Sequence, residues 1–384
     1  MQTTKLKRKQ TLGYFASFIS LGMATAALGP ALPYLAANTS SVIGEVSILF
    51  TAKAGGYLLG SIVGGRLYDR LPGHLIAFAA LLGIAATTAL TPIISLLWLL
   101  AFVLLVLGMV EGALDVGGNA MLVWVHGREV GPYMNALHFF FGVGTFITPI
   151  IIAGSILRSG EITWGFWVLA LLIAPVALWL LRVSSPAAPV TGKEKSDHAN
   201  ILLLSVIVVF LFFYVGAEVG FGGWVFTYAL ERNLANETTG AYLTSAFYGA
   251  FTVGRLLSIP IAARLRPRWI LISDLGGGIL SLVLILLFPA SAAVLWTGAI
   301  FLGLSMASVF PTMFTLAERR MTLTGAVTSW FFVGASAGAM FLPWMVGQLF
   351  EPVGPQVVLV AILVSLLMAL VVFAVVIRVS KQVK

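Results

Sequence analysis

The chain has 384 residues, of which 60% are hydrophobic and only 9% charged. Soluble domains carry about half apolar and about a quarter charged residues, so this composition excludes a water-soluble fold and calls for an apolar surrounding medium. The net charge is +8, and cysteine is absent, which excludes disulfides and thiol chemistry.

A bilayer span needs about 20 mostly apolar residues to cross about 30 Å of hydrocarbon. Twelve stretches meet that need in chain order: 12–36, 42–65, 75–95, 97–122, 133–157, 164–182, 201–230, 240–263, 269–289, 291–317, 325–349 and 355–378. The expected fold is therefore an all-α membrane protein of twelve transmembrane helices. The basic start, Lys5-Leu6-Lys7-Arg8-Lys9, precedes an apolar run longer than the core of a secretory signal, so it reads as a retained first helix. Eighteen of the 22 Lys and Arg residues fall in segments on the side of the N-terminus. Only Arg158 and Arg232 fall on the other side, and Lys53 and Arg255 lie within spans. The positive-inside rule then puts both termini in the cytoplasm of a multi-pass protein, expected in a bacterial inner membrane. The basic charge faces anionic lipid, not nucleic acid.

The second span carries Gly56, Gly60 and Gly64 every four residues, a stripe that lets two backbones approach closely. Lys53 lies on the same side and points into the bundle, where it neutralises a carboxylate or meets an anionic substrate. The fourth span places Glu111, Asp115 and Asn119 on one face. A carboxylate in apolar surroundings that can exchange a proton is what ion coupling requires. Asp115 reads as the coupling site, with Glu111 as a further candidate. The structural alternative is a salt bridge from either to Lys53 or Arg255. The fifth span begins near Asn135 and His138, and His138 reads as a local hydrogen-bonding or gating residue.

Between the sixth and seventh spans lies a polar stretch with prolines and mixed charge, residues 184–200. It divides the chain into an N-terminal six-helix bundle, 1–183, and a C-terminal one, 201–384. HFFFG at 138–142 and WFFVG at 330–334 form a weak repeat across it. Six spans per half make the halves parallel repeats.

The seventh span holds Glu218 among Gly216, Gly220, Gly222 and Gly223, which leave space around it, with Tyr214 one turn before and Trp224 beyond. A carboxylate beside aromatic rings suits a polyhydroxylated ligand. Arg255 in the eighth span reads as structural or gating, paired with Asp115 or Asp274. The substrate-contact set is Asn119, Asn135, Tyr214, Glu218, Trp224 and Gln348. Two cations and three anions in the spans leave a net negative core, so a cation is expected to bind there. No Walker loop, metal-ligand cluster or Gly-x-Ser-x-Gly motif is present. No metal, no cofactor and no enzymatic activity are expected; the coupling ion is H⁺ or Na⁺.

GGRLYDRLPGH at 64–74 resembles the loop motif of the major facilitator superfamily, with Gly65, Asp69, Arg70 and Gly73 in its pattern and His74 where a basic residue is usual. That resemblance implies a gating role for Asp69 and Arg70 and two six-helix bundles around a central cavity. YVGAEVGFGGW at 214–224, NALHFFFGVG at 135–144, DVGGN at 115–119, GRLLSIP at 254–260 and FPT at 310–312 together resemble the fucose–galactose–glucose:proton symporter family and the related sodium-dependent glucose transporter-like proteins. The family carries an acidic residue four before an asparagine in the fourth helix, used for proton coupling and sugar binding, and Asp115 and Asn119 match it. Its acidic residue in the first helix has no counterpart, since 12–36 contains no Asp or Glu; this shifts weight to Glu218. The function implied is cation-coupled symport of a sugar by a monomer. The competing expectations are a proton-driven exporter of amphipathic molecules and a non-transporting sensor or lipid-handling protein.

Overall fold

The computed structural model describes residues 4–186, 201–321 and 325–382. Most of the expected linker, 184–200, lies outside the described residues. Among the described residues the structure is helical throughout, with no strand. This is what an apolar medium demands, because a helix satisfies every backbone group within itself. Eleven helical segments are long and apolar enough to cross a bilayer, or twelve if a bent pair counts as one span.

The helices run α1 (Thr4–Ala26), α2 (Leu28–Asn38), α3 (Ile43–Val46), α4 (Ile48–Tyr68), α5 (Gly73–Leu90), α6 (Leu97–His126), α7 (Val130–Ser159), α8 (Thr163–Leu181), α9 (Ile201–Glu231), α10 (Glu237–Arg264), α11 (Pro267–Leu287), α12 (Ala292–Met306), α13 (Val309–Glu318), α14 (Gly325–Val353) and α15 (Val357–Gln382). Three expected spans are broken. The first is α1 and α2, bent by 44°. Pro30 explains the bend: its ring removes the bond to the Ala26 carbonyl and clashes with it, so α1 stops at Ala26. The second span is α3 and α4, and the tenth is α12 and α13, parted at Ala307 and Ser308.

The chain divides into two compact units, Met1–Val190 with Glu237–Ser245, and Thr191–Asn236 with Ala246–Lys384. In the first unit the glycine stripe of α4 meets α6. Gly56 lies against the Leu105 backbone, Gly60 against Met109 and Gly64 against Ala113. Gly108 and Gly112 of α6 answer them, set against the backbones of Lys53, Tyr57 and Ser61. A Cβ at any of these positions collides with the opposite helix. In the same unit α1 packs on α7 through Gly22 and Gly144. In the second unit α9 packs on α14 through Gly334 and Gly338, against the carbonyls of Val208 and Phe212. The first and fifth spans of each half thus pair through the same device. Gly334 is the last residue of the WFFVG element, so that repeat sits on a packing position.

Candidate functional site

The first unit holds a ladder of polar side chains between α4 and α6. Lys53 and Tyr57 stand one turn apart on α4. Glu111, Asp115 and Asn119 stand one turn apart on α6. The glycine contacts bring the two backbones close enough for rungs to form. Lys53 Nζ lies 3.1 Å from Glu111 Oε1, with the two side chains only 11% and 2% exposed. Lys53 also donates to the carbonyls of Ala24 and Thr25, at 3.0 and 3.3 Å. The ammonium thus sits between one carboxylate oxygen and two backbone carbonyls. The ion pair is the contact that the charge-neutralising reading of Lys53 expects.

The next rung is Tyr57 and Asp115. The Tyr57 hydroxyl donates to Asp115 Oδ2, and Asn119 Nδ2 donates to Oδ1 at 2.8 Å. Donors from two helices therefore orient the Asp115 carboxylate, which is half-buried. Asp115 and Asn119 were singled out by sequence. Tyr57 was not, although it sits four residues after Lys53 and within the glycine stripe, which was the signal that would have found it.

The second unit has its own cluster. Glu218 on α9 is half-buried. Tyr214, one turn before it, and Arg255 of α10, the opposite charge, lie near it. Arg255 also lies over the Phe251 ring, 4.6 Å from its centre. Asp274 is not the partner of Arg255 in the way the sequence suggested: it accepts from the Ser308 hydroxyl, at the break between α12 and α13. Tyr214 donates to the Met306 carbonyl at that same break, at 2.5 Å. A break frees carbonyls that a continuous helix would use, and nearby hydroxyls take them up.

Three expectations change here. Tyr214 and Trp224 are both fully buried. Trp224 donates its indole N–H to the Pro343 carbonyl at 3.0 Å and stacks on Phe350 at 5.4 Å. These rings pack the second unit and are not open to a ligand. The glycines around Glu218 do not leave space either. Gly216 is set against Gly338 and Leu342, Gly220 faces Leu342 and Ile362, and Gly222 meets the Tyr248 hydroxyl. They were read as room for a substrate because a missing side chain looks like a void in one dimension; a neighbouring helix fills it in three.

The remaining residues are placed as follows. Asn135 is exposed on α7, and Gln348 on α14. His138 meets the Phe18 ring edge-on, with centres 5.9 Å apart. Asp69 and Arg70 are exposed in the turn after α4. His74, at the end of that motif, is buried instead. One ring nitrogen lies 2.9 Å from the Tyr14 hydroxyl and the other 2.7 Å from the Val183 carbonyl. The histidine that stands where the motif usually has a basic residue thus ties α5 to α1 and to the chain beyond α8. No group of three or more metal-ligating side chains occurs among the described residues.

The sequence model of the Major Facilitator Superfamily matches residues 12–343. The chain belongs to the Major Facilitator Superfamily. It is a multi-pass integral membrane protein of that superfamily. A Danio rerio protein named sodium-dependent glucose transporter 1 is 32% identical over 88% of this chain, and the match spans 64% of that relative's own length. The Xenopus laevis protein of the same name is 33% identical, with 85% of this chain and 73% of the relative covered. Among solved structures, a point mutant of the nucleoside transporter NupG superposes with a TM-score of 0.77 at 14% identity, covering 96% of this chain and 99% of that one. A bacterial homologue of the human lysosomal transporter Spinster gives 0.76 at 10% identity, covering 100% and 98%. At such identities these two show the superfamily fold.

Proposed function

We propose that this superfamily member is a secondary active transporter that carries a sugar or sugar-like molecule in symport with a cation, H⁺ or Na⁺, by alternating access. The observation that carries the proposal is the arrangement of the two carboxylates on α6. Glu111 forms a buried ion pair with Lys53. Asp115, one turn on, is oriented by the Tyr57 hydroxyl and the Asn119 amide. A carboxylate set at a fixed angle inside an apolar bundle is a place where a proton or metal cation is favoured. Asp115 is the proposed coupling group, positioned by Tyr57. Asn119 and Asn135 are the proposed sugar contacts of the first unit, and Glu218 with Arg255 the polar group of the second. The names of the Danio and Xenopus relatives support a sugar as cargo and a cation as driver. The chain is proposed to lie in a bacterial inner membrane with both termini inside, on the strength of its Lys and Arg bias, and to work as a monomer.

The test is uptake of labelled glucose, galactose and fucose into proteoliposomes, with an inward Na⁺ gradient, an inward H⁺ gradient or neither. The expected result is gradient-driven accumulation of at least one sugar, lost in Asp115→Asn. Coupled uptake that survives Asp115→Asn sinks the assignment of the coupling group. No sugar uptake under any gradient, with H⁺-driven efflux of an amphipathic dye, replaces the symporter with an exporter.

A further inference from the structure

The break in the first span has a second participant besides Pro30. Where α1 ends at Ala26, the Ala24 carbonyl keeps only a long bond from the Ala27 amide, at 3.4 Å, and the last carbonyls of a helix lack the amides that a continuous helix would supply. Lys53 takes the carbonyls of Ala24 and Thr25. A cation is favoured at a helix C-terminus, where the unsatisfied carbonyls carry partial negative charge. The base of the Lys53 side chain does not move freely, because Gly56, Gly60 and Gly108 hold α4 against α6 at that level. Its tip is drawn to Glu111, which α6 buries. Beside the break lies a small, partly open cavity bounded by Ala24, Ala27, Leu28, Lys53, Thr88 and Phe166. The Thr88 hydroxyl is buried with no hydrogen-bond partner. Packing is therefore incomplete on one side of the bend, whereas protein interiors are ordinarily filled to crystal density.

We propose that Lys53 is a positioning residue for a hinge in the first span: it caps the α1 carbonyls freed at the break and holds α1 and α2 at their bend, while Glu111 keeps the ammonium in place. This goes beyond charge neutralisation. A lysine that only neutralised Glu111 would leave the bend unchanged when both charges are removed together. A lysine that caps the break would not. The clamp needs neither a sugar nor a coupling ion, so it stands or falls separately from the transport reading.

The absence of cysteine makes the test clean. Leu12→Cys on α1 and Ala37→Cys on α2, both exposed, place two spin labels on either side of the bend with no competing thiol. Their distance distribution is measured by double electron–electron resonance on the full chain in lipid nanodiscs. The parent pair is expected to give one narrow distribution. Lys53→Met is expected to broaden it and shift it to longer distances, as the two segments straighten. Glu111→Gln should shift it the same way by less, since the carbonyls still hold the ammonium. If Lys53→Met alone does not fold, Lys53→Met with Glu111→Leu decides, because it leaves no uncompensated buried ion. That double variant should reproduce the broadened, longer distribution. A double variant with the parent's distribution overturns the proposal, since the bend then holds without the ammonium.

Discussion

The polar ladder of the first unit and the polar cluster of the second are built differently. On α4 and α6 the partners stand in register, one turn apart on facing helices, and glycines set the spacing. On α9, Tyr214 and Glu218 gather near a break between α12 and α13. The ladder is thus a product of close backbone packing, while the cluster is a product of an interrupted helix. A ladder of this kind is stiff: moving one rung moves the helix that carries the next. A cluster at a break can rearrange as hydroxyls exchange carbonyl partners. The proposed coupling charge, Asp115, belongs to the ladder, and the proposed polar group of Glu218 and Arg255 to the cluster.

Substitutions break or sharpen this contrast. The largest expected effect is on function. Asp115→Asn should reduce gradient-driven sugar uptake to background, while Glu218→Gln should leave ion-driven accumulation and weaken sugar affinity, read as a raised half-saturating concentration in proteoliposomes. Equal loss in both variants would erase the division of labour. Next comes Lys53→Ala, which strands Glu111 in the bundle. Removing one partner of a buried pair costs about 3–5 kcal/mol, so thermal unfolding followed by tryptophan fluorescence should shift well below the parent. The paired Lys53→Met/Glu111→Leu variant should recover most of that loss.

Glycine substitutions test the packing that supports the ladder. Gly60→Ala puts a methyl group into the Met109 backbone, and overpacking of this kind costs about 1–3 kcal/mol. Gly276→Ala, where nothing lies within 4 Å of the added carbon, should leave the unfolding midpoint in place. Similar shifts in both would mean that helix propensity, not the close approach of α4 and α6, governs the result. The smallest effects belong to the hydroxyls. Tyr214→Phe removes a single bond to the Met306 carbonyl and should cost about 0.5–1.5 kcal/mol. Tyr57→Phe should cost a similar amount of stability but also alter the ion dependence of uptake, because its partner is the proposed coupling group. An unchanged ion dependence in Tyr57→Phe would remove Tyr57 from the site.

The amino-acid sequence by itself determined the class of fold, the spans and the residues that had to be buried charges. Hydropathy is a local property, and a run of apolar side chains in a bilayer has only a helix to adopt. The same local logic put Glu111, Asp115 and Asn119 on one face and marked the α4 glycines as a contact surface. Tertiary structure decided which partners those residues take. Lys53 had several acids at plausible depth, and only the register of α4 on α6 selected Glu111. Tyr57 carries no charge, so only its place four residues after Lys53 set it apart from the eight other tyrosines. Trp224 and the α9 glycines looked like a sugar platform until α10 and α14 covered them. The motif gave His74 no partner, and tertiary structure set it against Tyr14 and Val183. Span position follows from the cost of leaving water, which each segment carries alone. Pairing follows from which helices touch and at what register, and that is a property of the assembled fold.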